Sequence, residues 1–307
     1  MSILMIEPIA FGFNAQTATN NYFQQNDNSA EEEIQKKALQ EFSAMVEKLR
    51  AKKIDVIVVK DTLQPHTPDS IFPNNWVSFH ENGSVVLYPM FAENRRLERR
   101  EDILNHLQSI GFQVNNIVDF SKAEEENIFL EGTGSMILDR KNRIAYAALS
   151  QRTDKNLFEK FCEKMDFSPC AFSSYQSVNY ERLPIYHTNV MMCDADNYAV
   201  ICLDTVDDLQ EKLLLADRLI GSGKEIVKIS EEQMHFFAGN MLQVENTDGK
   251  KFLVMSQTAY NSLEKSQLDV LESFNEIIAV EIPTIEKYGG GSARCMMAEV
   301  FLPKKQV

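Results

Sequence analysis

The chain has 307 residues, 44% of them hydrophobic and 25% charged, with a net charge of −14. That acidic surplus argues against a nucleic-acid partner, because a phosphate backbone would meet a predominantly negative surface. Cys162, Cys170, Cys193, Cys202 and Cys295 form no CxxC pair, the N-terminus lacks a basic, cleavable leader, and no apolar run approaches ~18 residues, so the composition predicts a reducing, cytoplasmic setting without disulfides, zinc or a membrane span.

Met1 to Glu7 reads as a short apolar strand, followed by a loop rich in Asn, Thr and Phe from Phe11 to Gln25. Ser29 is placed to cap a helix whose Glu31 to Glu33 favour the positive end of its dipole, with Ile34, Ala38, Leu39, Phe42, Met45, Val46 and Leu49 at helical spacing. Ile54 to Val59 is a β-branched run and reads as a buried strand.

A unit of hairpin, helix and strand then repeats. Its first copy runs through Trp76 to Phe79, a turn at Glu81 to Ser84, Val85 to Tyr88, a helix from Asn94 to Ile110 and a strand from Phe112 to Val118. The second takes Ser135 to Leu138, Arg143 to Ala148, a helix from Asp154 to Met165 and a strand from Pro169 to Ser173. The third takes Val190 to Cys193, Tyr198 to Leu203, a helix from Val206 to Ile220 and a strand from Glu225 to Ile229. The fourth takes Met241 to Val244, Lys251 to Met255, a helix from Ser262 to Phe274 and a strand from Glu276 to Glu281. The last hairpin shows only Met296 to Leu302, and Ile3 to Ile6 is the strand available to complete it.

The five hairpins start near Asn75, Gly134, Asn189, Asn240 and Cys295, spacings of 59, 55, 51 and 55 residues. A structural repeat of this length closed by its two termini predicts one α/β domain over residues 1–307, with the five starts meeting on a common axis. At those starts stand Glu131, His187 and Cys295, a carboxylate, a proton-transfer group and a thiol supplied from separate units. Cys295 follows Gly289-Gly290-Gly291, a turn that lets backbone approach a ligand closely. His66, His80, His106 and His235 show no metal spacing, although His235 lies near the fourth start.

These residues resemble the guanidine-modifying, or amidinotransferase and deiminase, superfamily of pentein propellers. Pro68 to Asn75 resembles the PDxxFxxD segment of dimethylarginine dimethylaminohydrolases, Leu130-Glu131-Gly132 the carboxylate-glycine motif, and His187-Thr188-Asn189 the HxD-like segment. Gly289 to Cys295 resembles the glycine-rich cysteine turn, and Ala148 to Thr153 the LSxRT segment, whose arginine binds a substrate carboxylate; Asn94-Arg95-Arg96 resembles a second such segment. Within the superfamily, Phe13-Asn14, Thr17-Ala18, Asn20-Asn21, Phe72 to Trp76 and Glu131 to Gly134 are most similar to the bacterial citrulline-utilisation hydrolase branch.

The resemblance implies a five-fold pseudosymmetric α/β propeller with Cys295 as nucleophile, His187 as proton shuttle and Glu131 as its orienting carboxylate. It further implies that Asp69 holds a substrate α-ammonium, that Arg95 and Arg152 hold an α-carboxylate, and that no cofactor is required. Guanidinium-binding relatives carry carboxylates where this chain has Asn74 and Asn75, and a second acid where it has Asn189. A neutral amide offers a donor and an acceptor without charge, so these three positions suit a ureido group. The expected reaction is therefore hydrolysis of citrulline or a similar ureido amino acid to ornithine, ammonia and carbon dioxide, through an S-carbamoyl intermediate. Its rivals are hydrolysis of arginine, dimethylarginine or an acylated arginine, then amidinotransfer, and, in another class, a non-catalytic binding protein. The expected partner is a small amino-acid substrate, with a homodimer left open.

Overall fold

The structure, a computed structural model, describes residues 1–27 and 29–305; of the expected 1–307 span, Asn28, Gln306 and Val307 lie outside the described residues. The described residues build five three-stranded sheets of one design, in which a first strand runs antiparallel to a second and the second parallel to a third. In chain order these are Val77–Phe79, Ser84–Leu87 and Asn116–Asp119; Ile137–Asp139, Ile144–Leu149 and Ser168–Ser173; Met192–Asp194, Tyr198–Ile201 and Glu225–Lys228; and Leu242–Glu245, Lys251–Ser256 and Glu276–Val280. The fifth sheet joins Ala298–Val300 to Ser2–Glu7 and Asp55–Lys60, with Leu4 opposite Ala298 and Ser2 opposite Val300. Both ends of the chain thus share one sheet.

A parallel second and third strand need a crossover, which each unit supplies as a helix. The longest, Glu31–Ala51, buries Ile34, Ala38, Phe42, Met45, Val46 and Leu49. Second strands are covered on both faces, so they read as unbroken apolar runs rather than alternating ones. Ile3 to Ile6, Ala145 to Ala148, Tyr198 to Ile201 and Phe252 to Met255 are all buried.

Several elements differ from the sequence reading for identifiable reasons. The first helix takes Ala30 at its N-cap position without a side-chain cap, so Ser29 does not perform that role, and Glu31 to Glu33 alone answer the dipole. The expected helix from Asn94 to Ile110 divides into Glu93–Arg96 and Glu101–Ser109, because Arg95 turns inward and pairs with buried Glu98 in the break. The expected helix from Ser262 to Phe274 begins only at Lys265 and is preceded by a separate helix, Gln257–Ser262, which Ser256 caps at Ala259 N. A hairpin of Tyr175–Val178 with Glu181–Pro184, absent from the sequence reading, turns through Asn179 and Tyr180, both at positive φ. Most consequential, a tight turn precedes the first strand at the hairpin starts, at Pro73–Asn75, Gly132–Ser135 and Thr188–Met191. These turns aim side chains at the centre, where a strand would have alternated them.

His80, beyond the first hairpin's opening strand, is buried and shares a 2.8 Å hydrogen bond between Nε2 and Ser78 Oγ. Burial, reinforced by Arg140 and Arg143, pushes its pKa from 6.5 down to about 2. The unfolded chain therefore takes up this proton first, and the contribution is lost as pH falls below 6.5. In urea titrations the stability advantage of wild type over His80→Gln should shrink by ~1.4 kcal/mol per pH unit below that point. A constant difference across that range would mean the buried imidazole is not held neutral.

Candidate active site

Glu131 enters from the second unit, just before the turn Gly132–Ser135, with its backbone N–H donated to Ser135 Oγ at 2.9 Å. Its side chain is 0% exposed. One carboxylate oxygen accepts Phe91 N–H at 2.8 Å, while the other faces His187 Nε2 at 2.6 Å and Arg152 Nη1 at 3.5 Å. Burial alone would raise this carboxyl, but the Arg152 charge and the His187 hydrogen bond outweigh it and hold it well below the usual carboxylate range. His187, 3% exposed, is pushed down to about 4 by burial, which overrides the upward pull of Glu131. An ionised carboxylate only accepts, so Nε2 carries the imidazole proton and Nδ1 presents a lone pair.

Gly134 makes this arrangement sterically possible. A Cβ there would lie 2.3 Å from Asn75 Nδ2 and 2.9 Å from His187 Nδ1. Gly134→Ala should therefore push both side chains aside and cost ~100-fold in turnover, the usual effect of ~1 Å misplacement. Turnover within threefold of wild type, measured on a folded variant, would show that His187 needs no such close approach.

Cys295 lies in the turn that follows the glycines, 5% exposed, with its N–H bonded to Ser292 O at 3.0 Å. Ser292 Oγ is anchored on Glu286 at 2.6 Å, and Tyr186 donates to Gly290 O at 2.8 Å. Gly290 adopts φ +63, where a side chain would also strike Gln24 and Asn21. Two amides reach the sulfur: Asn189 Nδ2 at 3.3 Å and Asn240 Nδ2 at 3.2 Å. The sequence offered Asn189 as a substrate contact, but here it faces the thiol. Asn240 went unassigned, and its signal was its place at the fourth hairpin start.

A cavity of about 20 Å³ is bounded by Cys295, His187, Asp69, Asn75, Arg95 and Arg152 and roofed by Thr17 and Asn21. Asp69 Oδ2 accepts Asn14 Nδ2 at 2.7 Å and Thr17 Oγ1 at 3.2 Å, whereas buried Oδ1 has no partner among the described residues. Burial raises the Asp69 carboxyl despite the nearby Arg95 charge. Arg95 forks onto Glu98 at 2.8 and 2.9 Å and donates to Asn75 Oδ1 at 2.8 Å, so it is far from a surface ion pair. Arg152 is held by Asn20 Oδ1 and by Thr17 O at 2.8 Å, between the rings of Phe91 and Tyr186. Asn74 is buried beside this cluster but does not line the cavity, and both of its amide atoms lack partners among the described residues. His235 is exposed against Phe23, 5.7 Å between ring centroids. Sequence reasoning missed Glu98 altogether.

A larger groove, about 940 Å³, opens among hairpin turns and includes Asp139, Asp194 and Lys224. Lys224 Nζ is bridged there by Asp139 at 3.1 Å and Asp194 at 3.0 Å, so this cation is already engaged by two carboxylates, with no thiol or imidazole among the described residues that line the groove. The smaller cavity, which alone of the two joins thiol, imidazole and carboxylate, is the better candidate for chemistry. Among the described residues no cluster of His, Cys, Asp and Glu is arranged to hold a metal, and no helix is long and apolar enough to cross a membrane.

A sequence model of the family described as "N,N dimethylarginine dimethylhydrolase, eukaryotic" matches residues 7–302. No curated protein matches the sequence. Among solved structures, the chain is similar to apo ArgZ, an arginine dihydrolase from the ornithine-ammonia cycle in cyanobacteria, with a TM-score of 0.74 and 16% identity over 99% of this chain and 41% of that one. It thus spans less than half of that relative's length. The N-terminal domain of ArgZ bound to substrate gives a TM-score of 0.71 at 16% identity, covering 98% of this chain and 99% of that one. A dimethylarginine dimethylaminohydrolase carrying an S-methyl-L-thiocitrulline adduct gives 0.64 at 16% identity, covering 97% and 98%. At these identities the likeness establishes the α/β pentein fold.

Proposed function

Because the chain belongs to the N,N dimethylarginine dimethylhydrolase family, within the amidinotransferase superfamily of penteins, we propose that it is a cysteine-dependent hydrolase of a C–N bond in a guanidino amino acid. The observation that carries this reading is one cavity shared by Cys295, His187 with Glu131 behind it, and an Asp69 oxygen that lacks a partner.

In this mechanism the Cys295 thiol passes its proton to His187 Nδ1, and the resulting thiolate attacks the trigonal guanidino carbon. That proton then goes to the departing nitrogen as the C–N bond breaks, leaving the carbon bonded to sulfur. Nδ1 next takes a proton from water, whose oxygen bonds to the carbon, and the C–S bond breaks to regenerate the thiolate. Glu131 keeps Nε2 protonated throughout, so Nδ1 is the nitrogen that exchanges protons. Asp69 takes the α-ammonium of the substrate. The α-carboxylate goes to Arg152, in place of Asn20 and Thr17, when the loop carrying them moves. Such movement is required, since a cavity of about 20 Å³ holds roughly one water. Asn21 and Gln24, bonded to the backbone of Gly289 and Tyr288, fasten the same loop over the site.

Asn75, a neutral amide that borders the cavity, supports a second reading, in which the substrate is the ureido amino acid citrulline. The two readings share chemistry, because an arginine dihydrolase must also release nitrogen from a ureido group. Incubation with arginine, dimethylarginine and citrulline, followed by assay of ammonia, dimethylamine, citrulline and ornithine, separates them. Nitrogen release from a guanidino compound is the expected result. Ornithine from citrulline with arginine untouched selects the ureido reading, and no release from any of the three rejects both.

A further inference from the structure

The Asn240 side chain is fixed at both ends. Its Oδ1 accepts Arg294 N–H at 3.1 Å and lies 3.6 Å from Cys295 Sγ, and its Nδ2 donates to Asn189 O at 2.9 Å while lying closer to Sγ, at 3.2 Å. An amide turned over would set its oxygen against Asn189 O and its NH₂ against Arg294 N–H, losing both bonds, so a donor must face the sulfur. Asn189 differs: its Nδ2 lies 3.3 Å from Sγ, but buried Oδ1 has no partner among the described residues, so this amide is free to turn. The charged groups around the cavity are engaged elsewhere. Asp69 binds Asn14 and Thr17, Arg95 binds Glu98 and Asn75, and Arg152 and His187 bind Glu131. The neighbouring phenol, Tyr186, donates to Gly290 O. Among the described residues, hydrogen-bond donors to Sγ come only from these two amides.

We infer that Asn240 is a catalytic residue, a locked neutral donor that holds Cys295 as the thiolate while Asn189 adapts to either protonation state. A hydrogen bond to a charged group is worth more than one to a neutral group, so the shorter contact from a donor that cannot turn away outweighs the longer, neutral S–H contact to Oδ1 and favours S⁻ over S–H. When the nucleophile attacks, sulfur loses its charge and this bond weakens. When the C–S bond breaks, the charge returns and the same donor assists its departure. A neutral donor achieves this without the cation that would repel a guanidinium substrate.

The inference rests on Cys295 being the nucleophile proposed above, but its test needs no substrate. Alkylation of the full-length protein by iodoacetamide, in which sulfur displaces iodide, is followed across pH with the modified peptide identified by mass spectrometry. Near neutral pH, Asn240→Ala should slow labelling of Cys295 by about tenfold, and Asn240→Asp, which sets a carboxylate beside the sulfur, by more. At strongly alkaline pH the variants should converge on wild type, because every protein is then thiolate. Slowing that persists at high pH signals lost access and rejects the inference, as does an unchanged profile in folded Asn240→Ala. If Asn240→Ala does not fold, Asn240→Ser carries the test, with an expected profile between wild type and Asn240→Asp. Hydrolysis alongside an unchanged labelling profile sinks this inference alone, whereas an altered profile without hydrolysis of any guanidino or ureido compound sinks only the proposed function.

Discussion

Cys295→Ser should abolish hydrolysis, by about 10⁴-fold or more, while leaving the fold intact. Serine is nearly isosteric, and Asn189 and Asn240 remain placed to hydrogen-bond its oxygen. What changes is nucleophilicity, because an alcohol gives up its proton far less readily than a thiol, and the His187 imidazole is too weak a base to ionise it. Intact-mass measurement during turnover, or with a slowly released substrate analogue, should show a covalent adduct on wild type and none on the variant. The other thiols make poor substitutes. Cys162, Cys193 and Cys202 are packed in the cores, where burial pushes each up to about 12, and burial likewise pushes Cys170 up to about 11. Only Cys295 both accepts two amide donors and borders the cavity. An adduct mapped to any other cysteine, or turnover within tenfold of wild type, would remove it from the mechanism.

The repeat was legible in the sequence because each unit combines three independent signals: an apolar second strand, a polar turn and an amphipathic helix. Covalent order alone could not supply the depth at which side chains sit. Arg95 and Glu98 fall within one long expected helix, yet the pair is buried and breaks that helix. The hairpin starts were located to within a few residues, but a 3.6-residue turn in place of alternation redirects what they present. That is why Asn189 looked like a substrate ligand and instead meets the thiol, and why Asn240 carried no recognisable chemistry. The substrate inference suffers most. Reading Asn75 as a free amide for a ureido group presumes that its oxygen is available, whereas Arg95 occupies that oxygen at 2.8 Å and leaves Nδ2 alone unpartnered. The family match also favours a guanidino compound, so neutral amides by themselves are insufficient grounds for citrulline.

Glu131→Gln should be nearly as damaging as loss of the thiol, for a different reason. The carboxylate bonds Phe91 N–H, His187 Nε2 and Arg152 at once, so it both orients the imidazole and neutralises a buried guanidinium. Glutamine can present one oxygen to Nε2–H or to Phe91 N–H, but it cannot serve both as acceptor, and its NH₂ competes for the wrong imidazole tautomer. In a triad, the comparable acid-to-amide change costs about 10⁴ in turnover with geometry nearly intact, and a fall of about 10²–10⁴ is expected here. A stability loss of about 3 kcal/mol should accompany it, toward the lower end for a broken buried pair, because Arg152 keeps Asn20, Thr17 and two aromatic faces. The stability term has a definite pH sign. Glu131 is depressed below its unfolded value of 4.5, so its contribution is present above 4.5 and fades as pH falls through the lower folded value. The stability gap between wild type and Glu131→Gln, read from urea titrations, should therefore narrow on acidification below 4.5. Alkylation of Cys295 serves as the internal control. It should persist in Glu131→Gln, since neither donor to the sulfur comes from Glu131; its loss together with turnover would mean that the carboxylate supports the nucleophile as well as the base.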